Sequence, residues 1–121
     1  VNEGKKETGL VITFEELQKV DMRVGKVVEI EDFPRAKNPS YRVRLDFGEE
    51  IGIKSSSLQA KKDYTVEEMP GRYVVCVVNL PPRNIAGFMS EVLVLGVPGQ
   101  NGSLVILQPG RVPVPLGARV F

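Results

Sequence analysis

The chain has 121 residues, the length of one domain of ordinary size (about 100–150 residues). Its 42% hydrophobic and 26% charged residues are those of a globular chain, and 16 basic against 15 acidic residues leave a net charge of +1, so any basic surface must be local. Histidine is absent and cysteine occurs once, which excludes imidazole-dependent catalysis, His- or Cys-cluster metal sites and an intramolecular disulfide.

Residues 1–9 are polar and read as a frayed end, within an N-terminal extension over residues 1–11. Thr13-Phe14-Glu15-Glu16 matches a capping box and predicts a short helix over 13–19 with Phe14 and Leu17 on one stripe. A helix that short must dock on something. From Asp21 the period becomes two. Met22, Val24, Val28 and Ile30 read as one strand face, with Gly25 marking a bulge or bend. Phe33 to Ser40 is a loop broken by two prolines, with Phe33 read as a core residue.

Tyr41, Val43, Leu45 and Phe47 alternate with Arg42, Arg44 and Asp46, the clearest amphipathic strand of the chain. Gly48-Glu49-Glu50 reads as a turn, and Ile51 and Ile53 as the start of a third strand. Ser55 to Tyr64 reads as a short helix or loop, and Thr65 to Glu68 as a second capping box. Tyr73 to Leu80 is a buried strand ended by Pro81-Pro82, with Cys76 as a small buried hydrophobe. Glu91–Val97 and Ser103–Leu107 are two more strands around an Asn101-Gly102 turn. Five to six short strands with only short helices predict a small all-β barrel, although a sandwich gives the same alternation. No run of about 18 apolar residues or signal-peptide pattern is present, which predicts a cytoplasmic protein without membrane insertion.

Four stretches are specific as an ordered set. They are Phe14–Leu17 with Val20–Val27, Tyr64–Glu68 with Gly71-Arg72, Val77–Pro82, and Ser90–Leu95. Together they resemble the stand-alone tRNA-binding domain, which also occurs appended to some aminoacyl-tRNA synthetases. Phe33-Pro34, Asp46-Phe47-Gly48, Ile53-Lys54-Ser55-Ser56 and Asn79–Glu91 resemble one branch of that family, the export-related CsaA chaperones. Phe33-Pro34-Arg35-Ala36-Lys37 replaces the wider family's His-Pro-x-Ala-Asp-like segment, and Lys54-Ser55-Ser56-Ser57 replaces its Ser-Gly pair. Both departures favour the CsaA branch.

The resemblance covers residues 12–121 and implies a five-stranded OB-fold barrel with short flanking helices and terminal extensions, acting as a homodimer. It implies a chaperone that binds unfolded preproteins for export without ATP or any cofactor. The alternative it carries is tRNA binding through the same groove. In either case the OB-fold face of strands 2 and 3 is the expected ligand surface. The candidate site residues are Arg42, Arg44, Lys54, Ser55, Ser56, Arg83, Asn84, Phe88 and Met89. Arginine suits this role because its planar fork binds phosphate or carboxylate bidentately and stacks on bases. Phe88 and Met89 offer adaptable apolar contact to varied polypeptides.

Charge is uneven along the chain. Residues 1–71 hold 12 basic and 14 acidic residues, whereas residues 72–121 hold four arginines and only Glu91 as an acid. No nucleotide-binding glycine loop or catalytic constellation is present, so the expectation is a binding protein rather than an enzyme.

Overall fold

A computed structural model describes residues 10–121. The frayed end expected over residues 1–9 lies outside the described residues.

Helix α1 (Phe14–Gln18) forms as the capping box predicts: Glu16 N donates to Thr13 Oγ1 at 3.0 Å and Thr13 N donates to Glu16 Oε1 at 2.8 Å. Its apolar stripe does not dock on the barrel, for no residue of α1 is buried and Phe14 is 62% exposed. The helix is held by its C-terminal carbonyls instead. Asn79 Nδ2 donates to Lys19 O (2.7 Å) and Arg119 Nη2 donates to Gln18 O (2.6 Å).

The body is a five-stranded, nearly closed antiparallel barrel. Strands β1 (Met22–Asp32), β2 (Tyr41–Asp46), β3 (Ile53–Leu58), β4 (Tyr73–Val77) and β7 (Leu93–Val94) run in the order β3-β2-β1-β4-β7. Glu91 N and Val92 N donate to Ser55 O at 2.8 and 3.4 Å and bring the two ends of the sheet together. The first half of β1 pairs with β4 and the second half with β2.

Within the β1–β2 pairing the register slips at Val28, and this bulge parts Ile30 from the predicted face and turns it to the side of Val27. Val27 is buried in the core whereas Val28 is exposed. Gly25 faces inward because the ring of Phe47 occupies its side-chain space: a Cβ there would lie 2.7 Å from Phe47 Cε1. Met22 and Val24 therefore belong to the outer side of the strand. There the C-terminal tail covers Val24, with Val24 N donating to Ala118 O (2.9 Å) and Gly117 N to Val24 O (2.8 Å).

Other elements depart from expectation for local reasons. The predicted turn after β2 is a single helical turn, α2 (Gly48–Ile51), entered through Gly48 at φ 86° and left through Gly52 at φ 83°. Ile51 ends that helix rather than starting a strand. The serine-rich segment read as helix or loop is strand β3, paired along its whole length with β2. Serine is tolerated there because Ser56, although buried, donates its hydroxyl to Ser57 O at 2.8 Å. The predicted loop after Pro82 contains a hairpin, β5 (Arg83–Ile85) and β6 (Phe88–Ser90), turned by Ala86 and Gly87 at φ 49° and 87°. Positive φ at both central residues is the signature of a type I′ turn. The strand expected over 91–97 is split into β7 and β8 (Gly96–Pro98), and β8 pairs with β9 (Leu104–Ile106).

The core holds Val27, Val43, Leu45, Phe47, Met69, Val74 and Cys76. Gly25→Ala forces the Phe47 ring to move and is expected to destabilise the fold by about 1–3 kcal/mol, the usual range for overpacking. The smaller ring site of Phe47→Leu should return part of that loss, and a double-mutant cycle by urea unfolding measures the coupling. Burial pushes the Cys76 thiol up to about 12 from 9.0. The native thiol is thus expected to resist alkylation at neutral pH and to react on unfolding. Because the unfolded thiol ionises first, the contribution of Cys76 to stability is full below pH 9.0 and falls between there and about pH 12.

Candidate binding groove

The bulge in β1 and the pairing of β1, β2 and β3 shape a groove of about 630 Å³ on one face of the barrel. Two cross-strand ion pairs line it. Arg42 stands opposite Glu31 and Arg44 opposite Glu29 in the β1–β2 register. Arg42 Nη2 lies 3.0 Å from Glu31 Oε2, and Arg44 Nη1 lies 3.6 Å from Glu29 Oε1. Lys54 on β3 also lines the groove, and no ion pair among the described residues includes it.

Arg42 is the more constrained of the two arginines. Its guanidinium carbon sits 5.3 Å from the centre of the Phe33 ring and 5.8 Å from that of Phe88. The two rings meet edge to face with centres 5.3 Å apart. Phe33 is buried as expected, so it anchors the cluster, while Phe88 on β6 is half-buried and lines the groove. Arg42 Nε is buried and has no hydrogen-bond partner among the described residues.

The hairpin carrying Phe88 hangs on β3 through side chains. Glu91 Oε1 accepts from Ser55 N at 2.9 Å, and Ser90 Oγ accepts from Ser57 N at 3.1 Å. Ser55 Oγ lies 3.0 Å from both Met89 O and Glu91 Oε1, so its one proton serves one of them at a time.

Of the nine residues singled out in the sequence, Arg42, Arg44, Lys54, Ser55 and Phe88 come together in this groove. Ser56 points into the core. Asn84 Oδ1 accepts from Gly87 N at 2.9 Å and holds the hairpin turn. Arg83 and Met89 sit exposed on the same hairpin, outside the groove lining. Sequence reasoning missed the carboxylates Glu29, Glu31 and Glu91 and the apolar lining of Val28, Ile30, Ile53, Val66 and Pro70. A signal for the first two was present: Glu29-Ile30-Glu31 has the same alternation as Arg42-Val43-Arg44, the pattern of facing opposite charges on paired strands.

A family model described as a putative tRNA binding domain matches residues 22–119. The chain belongs to the tRNA-binding domain family. Within the family it is similar to the CsaA branch. The crystal structure of chaperone CsaA from Bacillus anthracis str. Ames superposes with a TM-score of 0.85 at 42% identity, covering 93% of this chain and 100% of that one. The CsaA chaperone protein of Picrophilus torridus gives a TM-score of 0.84 at 38% identity, covering 92% of this chain and 100% of that one. The methionine–tRNA ligase of Pyrococcus furiosus is 40% identical over 109 residues, 90% of this chain but only 14% of the ligase. The chain thus spans a small part of the length of the curated relatives it matches.

Helix α1 and the tail leave a second apolar feature. Phe14, Leu17, Val20, Met22, Val120 and Phe121 line a hollow of about 210 Å³. All but Met22 are among the exposed large hydrophobic residues. No helix is long and apolar enough to cross a membrane among the described residues.

Proposed function

We propose that the protein is a CsaA-like chaperone, working in the cytoplasm, that holds unfolded preprotein segments for export without ATP and as a homodimer. The observation that carries this reading is the composition of the groove. Three cations (Arg42, Arg44, Lys54) are matched by three carboxylates (Glu29, Glu31, Glu91) around an apolar floor. A run of phosphates gains little from a charge-balanced groove, because each carboxylate repels it. An extended polypeptide presents backbone donors and acceptors and apolar side chains, and such a lining can meet all three. The Arg42–Phe33–Phe88 cluster supplies an apolar face beside a charged fork. The likeness to the two CsaA chaperones supports the same reading.

The second reading is tRNA binding, supported by the family match itself. Arg42 and Arg44 would then serve phosphates or stack on bases after giving up their carboxylates. Labelled unfolded polypeptide and labelled bulk tRNA, each titrated across a salt series, separate the two. The polypeptide reading expects Arg42→Ala with Phe88→Ala to weaken polypeptide binding by about tenfold or more, as loss of an interface anchor does. It expects Arg44→Ala to leave the salt slope of any tRNA binding unchanged. A drop in that slope of about 0.7–0.9 for each arginine removed, with polypeptide binding intact, would instead establish tRNA as the ligand of the groove.

The homodimer reading rests on the hollow between α1 and the tail. Its side chains gain by leaving water, and a two-fold axis through the hollow would present each apolar residue to its own copy. Sedimentation is expected to give twice the 13.3 kDa chain mass. Leu17→Glu should shift the protein to the single-chain mass with an unchanged far-ultraviolet spectrum. A monomeric parent protein at high micromolar concentration would overturn the dimer.

A further inference from the structure

A second groove, of about 460 Å³, adjoins the first. Pro70 lines both, so the two grooves meet at this residue. Their charges differ. The second groove is lined by Arg72 and Arg111 against one carboxylate, Glu68. No ion pair among the described residues includes Arg111. Tyr73 forms part of the lining, and Lys26 Nζ stands 5.7 Å from the centre of its ring. The uneven charge of the sequence thus has a location, because Arg72 and Arg111 are two of the four arginines in the acid-poor C-terminal part.

Arg72 is positioned but poorly satisfied. Its guanidinium carbon lies over the Tyr64 ring, 5.1 Å from the ring centre, within cation–π range. Tyr64 is itself held, its hydroxyl accepting from Ile106 N at 3.0 Å. The polar contacts of Arg72 are long: 3.3 Å to Gln108 Oε1 and 3.5 Å to Glu68 Oε1. Its Nε is buried without a partner among the described residues. A charged fork set over an aromatic ring, with contacts this long, exchanges them for a closer carboxylate at small cost.

We infer that this second groove is an anion subsite that takes an acidic side chain of the extended polypeptide seated in the first groove, an inference that rests on the polypeptide reading above. Arg72 supplies the oriented fork and Arg111 the unpaired charge. Pro70 marks the point where the chain passes from the charge-balanced groove to the cationic one. The preferred segment is therefore apolar with acidic residues at one end. A polypeptide is favoured over a nucleic acid because Glu68 sits beside Arg72: a single carboxylate can replace that long contact, whereas successive phosphates would face it.

The test uses labelled apolar peptides with two glutamates at the amino or the carboxyl end, and their glutamine counterparts. The whole protein is expected to bind one glutamate peptide about tenfold more tightly than its glutamine counterpart, the return of one charge-assisted contact. Arg111→Gln, an exposed position, and Arg72→Lys, which keeps the charge but loses the fork, should each reduce that ratio severalfold and leave the glutamine peptide unaffected. Equal binding of glutamate and glutamine peptides by the parent protein overturns the anion subsite while leaving the first groove intact. Failure of every peptide to bind overturns the reading beneath it as well. An oligouridylate that binds the parent but not Arg111→Gln, with no peptide preference, would assign the second groove to phosphate and also overturn the proposal.

Discussion

The ring of Phe47 against the bare backbone of Gly25 is the contact from which the rest of the architecture follows. Phe47 follows the last residue of β2 and fills the space that a side chain at position 25 would need. Three residues on, the bulge at Val28 bends β1, and one strand of 11 residues serves two neighbours on its two halves. The tail closes over the same point. A Cβ at Gly117 would strike the Phe47 carbonyl oxygen, and one at Gly48 would lie 2.9 Å from Leu116 O. Three glycines far apart in sequence are thus required by one aromatic side chain and the backbone around it.

The same bend sets the chemistry of the groove. Past the bulge at Val28, β1 presents Glu29 and Glu31 to the arginines of β2. A strand without the bulge would place its inward and outward residues with the opposite parity from that point. The two arginines of the groove are consequently paired in the free protein, and any ligand they receive must compete with glutamates already in place. This gives selectivity to ligands that can satisfy both signs, and it weakens purely electrostatic attraction. Net charge, +1 over the whole chain, gives no hint of this local balance.

What was legible in the sequence was local. The alternation of Tyr41 to Phe47, the capping box at Thr13 and the burial of Cys76 each depend on a few neighbouring residues, and each appears in the structure as read. The five-stranded barrel followed from strand count and resemblance together. The features that were misread depend on distant partners. Ser55–Leu58 is a strand because β2 pairs with it, not because serine favours strands. Val27 and Ile30 both face the core because the register against β2 slips between them, which no period of two within β1 can report. Five of the nine candidate site residues share the groove, but its carboxylate half emerges only from the register of two strands.

The seam of the barrel has a further consequence. Along most of the sheet, strands are joined by repeated backbone ladders, which open cooperatively. Between β3 and the segment Phe88–Val92, backbone bonds converge on Ser55 O, and the amides of Ser55 and Ser57 are met by the side chains of Glu91 and Ser90. Such stitches release one at a time, each by a change of rotamer, and leave the ladders of β1, β2 and β4 untouched. The wall that carries Phe88 is therefore tied to the sheet in part through side chains. A groove built this way varies its width without unfolding its floor, and segments of different bulk can be held by one rigid row of arginines and glutamates.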